Sequence, residues 1–454
     1  MTTATIARFP KRCAGDPPRY LNCALVESAS ESIEPLSDTV IEPAGDGIAS
    51  RAHVAPPLTG PRAGIDASLW RRRAAAALHR ARFAILIYLG TRGLLLVVAL
   101  VNGALRHHPL LNELANWDGM WYRWVANHGY PTHVSHLQTR LGFFPLYPMV
   151  TWGVSRVFLL SAHSAIWAVT IAGVVVSGIG GLVATVLVER VAAGWWGREA
   201  GRRAVLLFCL FPGSVVFSMV YAEGILIPLA AGCILALQRR RWLLAGILAA
   251  FATASEPEAL ILVLVCAVSA ARELRRAGWR VPSARRSLLA PLLSLTGISA
   301  VAGFFWAWTG TPFANFIAQH YGWHERTNPL ALVDLIRMLV NQISFTHFNH
   351  PTINLNLVLG LVGAIFLIVM LVLLVKVRRS VSIEAWIWTL GISFLAITSE
   401  YTPPNPRLLI TAFPVAVVLA RYLKQRAFAL LLVVNGVLLV GLSAITFVGV
   451  TLRP

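Results

Sequence analysis

Charge is scarce in this chain. Of its 454 residues only 13% are Asp, Glu, Lys or Arg, where a soluble globular domain carries roughly 25%. Cysteine is scarce too. Cys13, Cys23, Cys209, Cys233 and Cys266 share no CxxC spacing, so neither a disulfide framework nor a thiolate metal site is expected. The chain has no HExxH, no GxxxxGK[ST] and no GxGxxG following a strand. Those absences argue against a zinc peptidase, a nucleotide-driven pump and a Rossmann enzyme acting on a nucleotide sugar. The first apolar run of any length begins near Phe83, so no cleavable signal peptide is expected.

What is present is apolar. Hydrophobic residues make up 57% of the chain and the mean hydropathy is +0.67. Long apolar runs recur from Phe83 to the C-terminus, which makes the chain a polytopic, all-α membrane protein. A net charge of +19 would suit a nucleic-acid partner. Yet the basic residues lie in short clusters between apolar runs, as cytoplasmic loops do. No nucleic-acid partner is expected.

Residues 1–67 are rich in Ser, Pro, Ala and acids and read as a disordered cytoplasmic tail. Residues 68–454 form the membrane domain. The stretch WRRRAAAALHRARF, Trp70 to Phe83, holds its start in the cytoplasm. Apolar runs follow at about 83–105, 164–188, 204–221, 224–238, 243–255, 258–272, 287–309, 353–376, 383–399, 407–421 and 427–450. This gives about 11 transmembrane helices, plus or minus two. The segment 143–160 is short and proline-bearing, and reads as a helix dipping into or lying along the membrane. With the tail inside, the dense basic clusters at 190–203, 239–241, 272–286, 376–379 and 421–426 all fall on the cytoplasmic side.

The same topology sends the acids outward. Asp118, Glu223, Glu256, Glu258, Glu325 and Glu400 lie in outer loops or at outer span ends. Two outer segments, 106–142 and 310–352, are aromatic and polar and too long for simple connectors. The first contains NWDGMWYRWVANHGYP, Asn116 to Pro131, where Asp118 stands beside Trp117, Trp121 and Tyr122. An acid at this depth is costly unless it faces a cavity. Aromatic faces meet sugar CH groups and carboxylates meet sugar hydroxyls. The plainer explanation of the rings is an interfacial aromatic belt. Paired carboxylates would also suit a glycoside hydrolase, but here the acids are dispersed over different loops. No metal site and no cofactor are expected.

An outer-face transferase cannot draw on cytoplasmic nucleotide sugars, so its donor would be a sugar carried on a polyprenyl phosphate. The phosphate leaving group needs a cation. Arg407, in TPPNPRLL, is the best placed candidate; Arg140, Arg326 and the histidines of 347–350, His347 and His350, are weaker ones.

These motifs resemble a known family. NWDGMWYRWVANHGYP followed by GFFPLYP is similar to the WDGxWY…FFPLYP signature of the class V mannosyltransferases, the second-mannose GPI transferases and their bacterial relatives. FPGSVVFSMVYAEG, GTPFANFIAQHYGWHERTNPL and NPRLLITAFPVAVVLA resemble further segments of that family, in order. The resemblance implies a GT-C-like bundle with juxtamembrane helices in the first outer loop. It implies a polyprenyl-phosphate mannose donor, inverting transfer to a glycolipid or glycan acceptor, and Asp118 as the catalytic base. Trp117, Trp121, Tyr122, Glu223, Arg407, His324 and Arg326 are the expected substrate-binding residues. One departure stands out: Ser255-Glu256-Pro257 replaces a TRP-like step that would bring an arginine to phosphate. The rival from another class is a transporter or flippase of a lipid-linked sugar, which would show inverted repeats and mid-membrane polar residues. The acceptor and the oligomeric state stay open.

Overall fold

The computed structural model describes residues 67–159, 165–343, 354–400 and 402–449. The expected tail at 1–67 lies almost wholly outside them, as does the end of the second outer segment beyond residue 343. The described residues are almost entirely helical, and the only extended pairing among them is an isolated antiparallel bridge between Thr327 and Ser399. Apolar runs dictate this, because in hydrocarbon a helix is the only open-ended segment that satisfies its own backbone.

Among the described residues, five helices are long and apolar enough to cross a membrane: Leu78–Arg106, Ala165–Trp196, Pro282–Thr309, Leu355–Lys376 and Gln425–Val448. Each exceeds the 20 residues that span about 30 Å of hydrocarbon. Their outward faces stay apolar, as Leu86, Val97, Val433 and Val437 show. Their inward faces use small residues that let backbones approach closely. Shorter apolar helices, Glu223–Gln238, Trp242–Ser255 and Ile383–Thr398, pack among them.

In chain order α1 is Ala67–Arg106, α2 Leu110–Glu113, α3 Asp118–His128, α4 Leu146–Phe158, α5 Ala165–Trp196, α6 Arg198–Leu210, α7 Glu223–Gln238, α8 Trp242–Ser255 and α9 Ile261–Ala277. Thus α2 and α3 are helices within the first expected outer segment. The central helix α7 packs between α5 and α8. The approach to α5 is so close that a Cβ on Gly180 would lie 1.6 Å from the carbonyl oxygen of Gly224.

Two expected spans are corrected. Residues 204–221 do not form one helix. Phe211 is extended, Pro212 opens a 3-10 turn over Pro212–Ser218, and the turn is bent by 73° from α6. Residues 407–421 are likewise divided, into Pro406–Thr411, Phe413–Val417 and Leu419–Tyr422. Ala412 leaves the helical region at φ −78°, ψ 52°, and Pro414 lacks the N–H that a continuous helix would need. Both breaks meet the same place. A Cβ on Gly213 would sit 2.0 Å from the Pro406 carbonyl oxygen, so only glycine lets the two broken segments touch there.

Candidate active site

Three helix starts converge on that contact. Asp118 is the first residue of α3 and Glu223 the first residue of α7. Arg407 is the second residue of the short helix Pro406–Thr411, whose start is capped by the Asn405 side chain accepting from Leu408 N at 2.9 Å. Both carboxylates therefore sit at the positive end of a helix dipole. Arg407 completes the cluster: its Nη1 pairs with Asp118 Oδ2 and its Nε with Glu223 Oε1. The guanidinium also lies over the Tyr221 ring, 5.0 Å from its centroid.

Exposure separates the two acids. The Glu223 side chain is 5% exposed, Arg407 19% and Asp118 27%. Glu223 holds the arginine from the buried side, while Asp118 is the most open member. One cation against two carboxylates leaves the trio with a formal charge of −1. The backbone N–H of Asp118 donates to the hydroxyl of Tyr221 at 3.3 Å. Trp117, just before it, is held at φ 58°, a strained setting for a bulky residue.

A third carboxyl lies close by. Tyr122 donates its hydroxyl to Glu256 Oε1 at 2.5 Å. Burial, and then the neighbouring Glu258 and Glu223, push the Glu256 carboxyl well above the usual range. Glu256 is the residue that replaced the expected arginine. It brings a proton-holding carboxyl to the site and no cation.

The expected substrate-binding residues fall into two groups. Asp118, Glu223, Arg407 and Tyr122 share one neighbourhood. Trp121 lies in an aromatic cluster, 5.0 Å from Trp323 and 6.0 Å from Phe143 between ring centroids. Trp117 is spent on the scaffold, since its indole N–H donates to Thr446 O at 3.3 Å. His324 and Arg326 are exposed, and among the described residues no hydrogen bond or ion pair joins either side chain to the trio. Arg326 acts through its backbone, whose carbonyl accepts from Glu400 N at 3.0 Å.

The two segments expected to lie outside are laced together. Asn315 donates to Leu141 O at 2.9 Å, Gln319 to Gly142 O at 2.6 Å and Trp323 to Thr139 O at 3.2 Å. Glu325 then ties this roof to the turn that leads to Arg407, accepting from Ser399 Oγ at 2.6 Å and Thr402 Oγ1 at 3.2 Å. Tyr221 and Glu256 were missed as site residues, although both stand in stretches that the motifs or their departure had marked. Arg92 had no signal at all. Half-buried on α1, it donates to Ser214 Oγ at 2.9 Å and Ser218 Oγ at 3.1 Å and so fixes the 3-10 turn beneath the trio.

Comparison with known proteins agrees with the motifs. Residues 92–298 match the family model described as mannosyltransferase (PIG-V). That stretch holds Asp118, Glu223 and Glu256; Arg407 lies beyond it. Similar solved structures include ArnT from Cupriavidus metallidurans bound to undecaprenyl phosphate. It is 16% identical, with 79% of this chain and 69% of that chain covered, at a TM-score of 0.45. The apo oligosaccharyltransferase of Archaeoglobus fulgidus is 15% identical over 81% of this chain, at a TM-score of 0.40. This chain spans 56% of that protein's length. No curated protein matches the sequence.

Proposed function

We propose that the chain is a membrane glycosyltransferase of the mannosyltransferase (PIG-V) kind and that it transfers a mannosyl residue. The donor is a polyprenyl-phosphate sugar and the acceptor a glycolipid or glycan hydroxyl, at the outer face of the membrane. Asp118 is the base. The observation that carries this assignment is its position: the most exposed member of a charged trio, at a helix start, one turn ahead of Trp121 and Tyr122.

The acceptor hydroxyl loses its proton to Asp118 as its oxygen attacks the anomeric carbon. The bond from that carbon to the donor phosphate breaks on the opposite side, and polyprenyl phosphate departs with the electron pair. One displacement inverts the centre. A base of this kind contributes about 10²- to 10⁴-fold. The pairing of Arg407 with Asp118 gives the step an order. An entering donor phosphate competes for the guanidinium, and as Arg407 turns to it the Asp118 carboxylate is released to the acceptor. Glu223 keeps Arg407 from leaving the site. Residues 68–454 would thus work as one catalytic membrane domain, with 1–67 as a cytoplasmic extension.

The test is transfer of radiolabel from polyprenyl-phosphate mannose in membranes carrying the protein. Label appearing in a lipid or glycan product, and lost in Asp118→Asn at equal protein level, supports the reading. Near-normal transfer by Asp118→Asn refutes the base. Movement of labelled donor across the membrane without product favours a flippase.

A further inference from the structure

The far end of α7 carries a second candidate site. Glu223 opens the helix and Arg239 follows its last residue, so the two lie about 24 Å apart along the axis at 1.5 Å per residue. There a cavity of about 300 Å³ runs between α5, α7 and α8. Its walls are Val183, Leu187, Pro228 and Leu248, and its floor is Gly232, where an added Cβ would already stand 3.2 Å from Leu248. Val183 is 45% exposed, so the groove opens sideways towards the lipid. Its mouth is ringed by Arg190, Arg239 and Arg241.

A polar cavity of about 590 Å³ adjoins the turn that carries these arginines, and the contrast decides between the two. There Arg240 is paired with Glu273 at 3.3 Å and Arg272 with Glu384 at 4.0 Å. Among the described residues no carboxylate pairs with Arg239 or Arg241. The apolar groove thus has unpaired positive charge from Arg239 and Arg241 at its mouth, beside Arg190, which stands within electrostatic reach of Glu189, and hydrocarbon-like walls within.

We propose that this groove binds an anionic phospholipid of the adjoining leaflet, which the charge pattern makes the cytoplasmic one. One acyl chain lies against Gly232, and the phosphodiester sits among Arg190, Arg239 and Arg241. Basic pockets between spans on the cytoplasmic side have this chemistry, and the apolar length adds affinity for each buried methylene. The site does not depend on the transfer reaction, and its ligand is not the donor.

The experiment is native mass spectrometry of the full-length protein in detergent, titrated with phosphatidylglycerol or chain-matched phosphatidylcholine. The wild type should retain phosphatidylglycerol preferentially. Each arginine near an anionic lipid is worth about five-fold, so Arg239→Gln with Arg241→Gln should lower that retention about 25-fold. Gly232→Leu should lower it for long-chain lipid by filling the floor. The control is Arg275→Gln, an exposed arginine outside the groove, which should leave retention unchanged. Equal loss in the control would mean diffuse surface charge and overturn the proposal, as would equal retention of phosphatidylcholine. Full displacement by soluble glycerol phosphate would make it a site for free anions. A dimer mass that disappears in the double variant would give the groove to a second copy. Lipid binding that appears only after removal of residues 1–66 would give it to the tail. Asp118→Asn should bind lipid like the wild type, which keeps this outcome separate from the fate of the catalytic assignment.

Discussion

The two ends of α7 handle charge in opposite ways. At the Glu223 end a few ionisable groups turn inward, contact one another and lose most of their water. At the Arg239 end many arginines turn outward, and Arg239, Arg240 and Arg241 are all exposed. The second end is typical of the exposed arginines behind the net charge of +19, a pattern expected of loops that stay on one side of a membrane. The first end barely registers in the composition, and it is where the proposed chemistry lies. Desolvation separates them, because a charge kept from water must be satisfied by its neighbours and each replacement is then felt.

The sharpest way to break the comparison is Asp118→Asn. If the inward charges do chemistry, transfer falls by about 10²- to 10⁴-fold while insertion and thermal unfolding stay close to wild type, since Arg407 keeps Glu223. Radiolabel transfer and a melting curve on the same preparation decide it. The next largest effect falls on stability. Arg407→Gln strands the buried Glu223 beside the carboxylate of Asp118, and removing one partner of a buried pair costs about 3–5 kcal/mol. Arg407→Lys keeps the charge but loses the two-armed geometry, so it should recover folding better than transfer. Equal recovery of both would reduce Arg407 to a countercharge.

Much of this end was legible in the sequence, for physical reasons. The WDG motif marked Asp118, because an acid flanked by rings at a membrane interface has few structural uses. Arg407 and Glu223 were both marked as candidates, one for phosphate and one for orientation. Their mutual pairing was not legible. It requires α3, α7 and the Pro406 helix to start at one point, which depends on Gly213 admitting the Pro406 carbonyl. No periodicity encodes such a contact. The broken helices were hidden for a related reason. Pro212 and Pro414 stand in apolar runs whose hydropathy does not change across the break. The Arg92 cradle was invisible because its acceptors lie more than 100 residues away.

A smaller effect tests how far desolvation reaches. The Glu256 carboxyl is pushed well above its ordinary value by burial. Its folded form therefore holds a proton that the unfolded chain releases near pH 4.3. The sign follows: stability linked to this group is complete below that pH and is lost as pH rises towards the raised folded value. Glu256→Gln mimics the protonated form, so unfolding of the variant should depend less on pH above 4.3, with the gain largest at the alkaline end. Identical pH profiles for variant and wild type would show Glu256 ionised despite its burial. Tyr122→Phe should then cost about 1 kcal/mol through the lost hydrogen bond.

The smallest expected effect bears on the exposed end. Arg275 is solvent-facing and lies outside the groove beside α7. Arg275→Gln should shift stability by less than about 0.5 kcal/mol, as surface changes away from special features do, and leave transfer unchanged. One substitution leaves the basic cluster at 272–286 intact, so topology should hold as well. Replacing Arg275, Arg276, Arg280, Arg285 and Arg286 together removes the bias itself. If those charges only orient the chain, protease accessibility of that loop should then become mixed in intact membranes, while correctly inserted molecules keep wild-type turnover. Loss of turnover in correctly inserted molecules would mean that the outward charges also act on the chemistry, and the contrast between the two ends of α7 would fail.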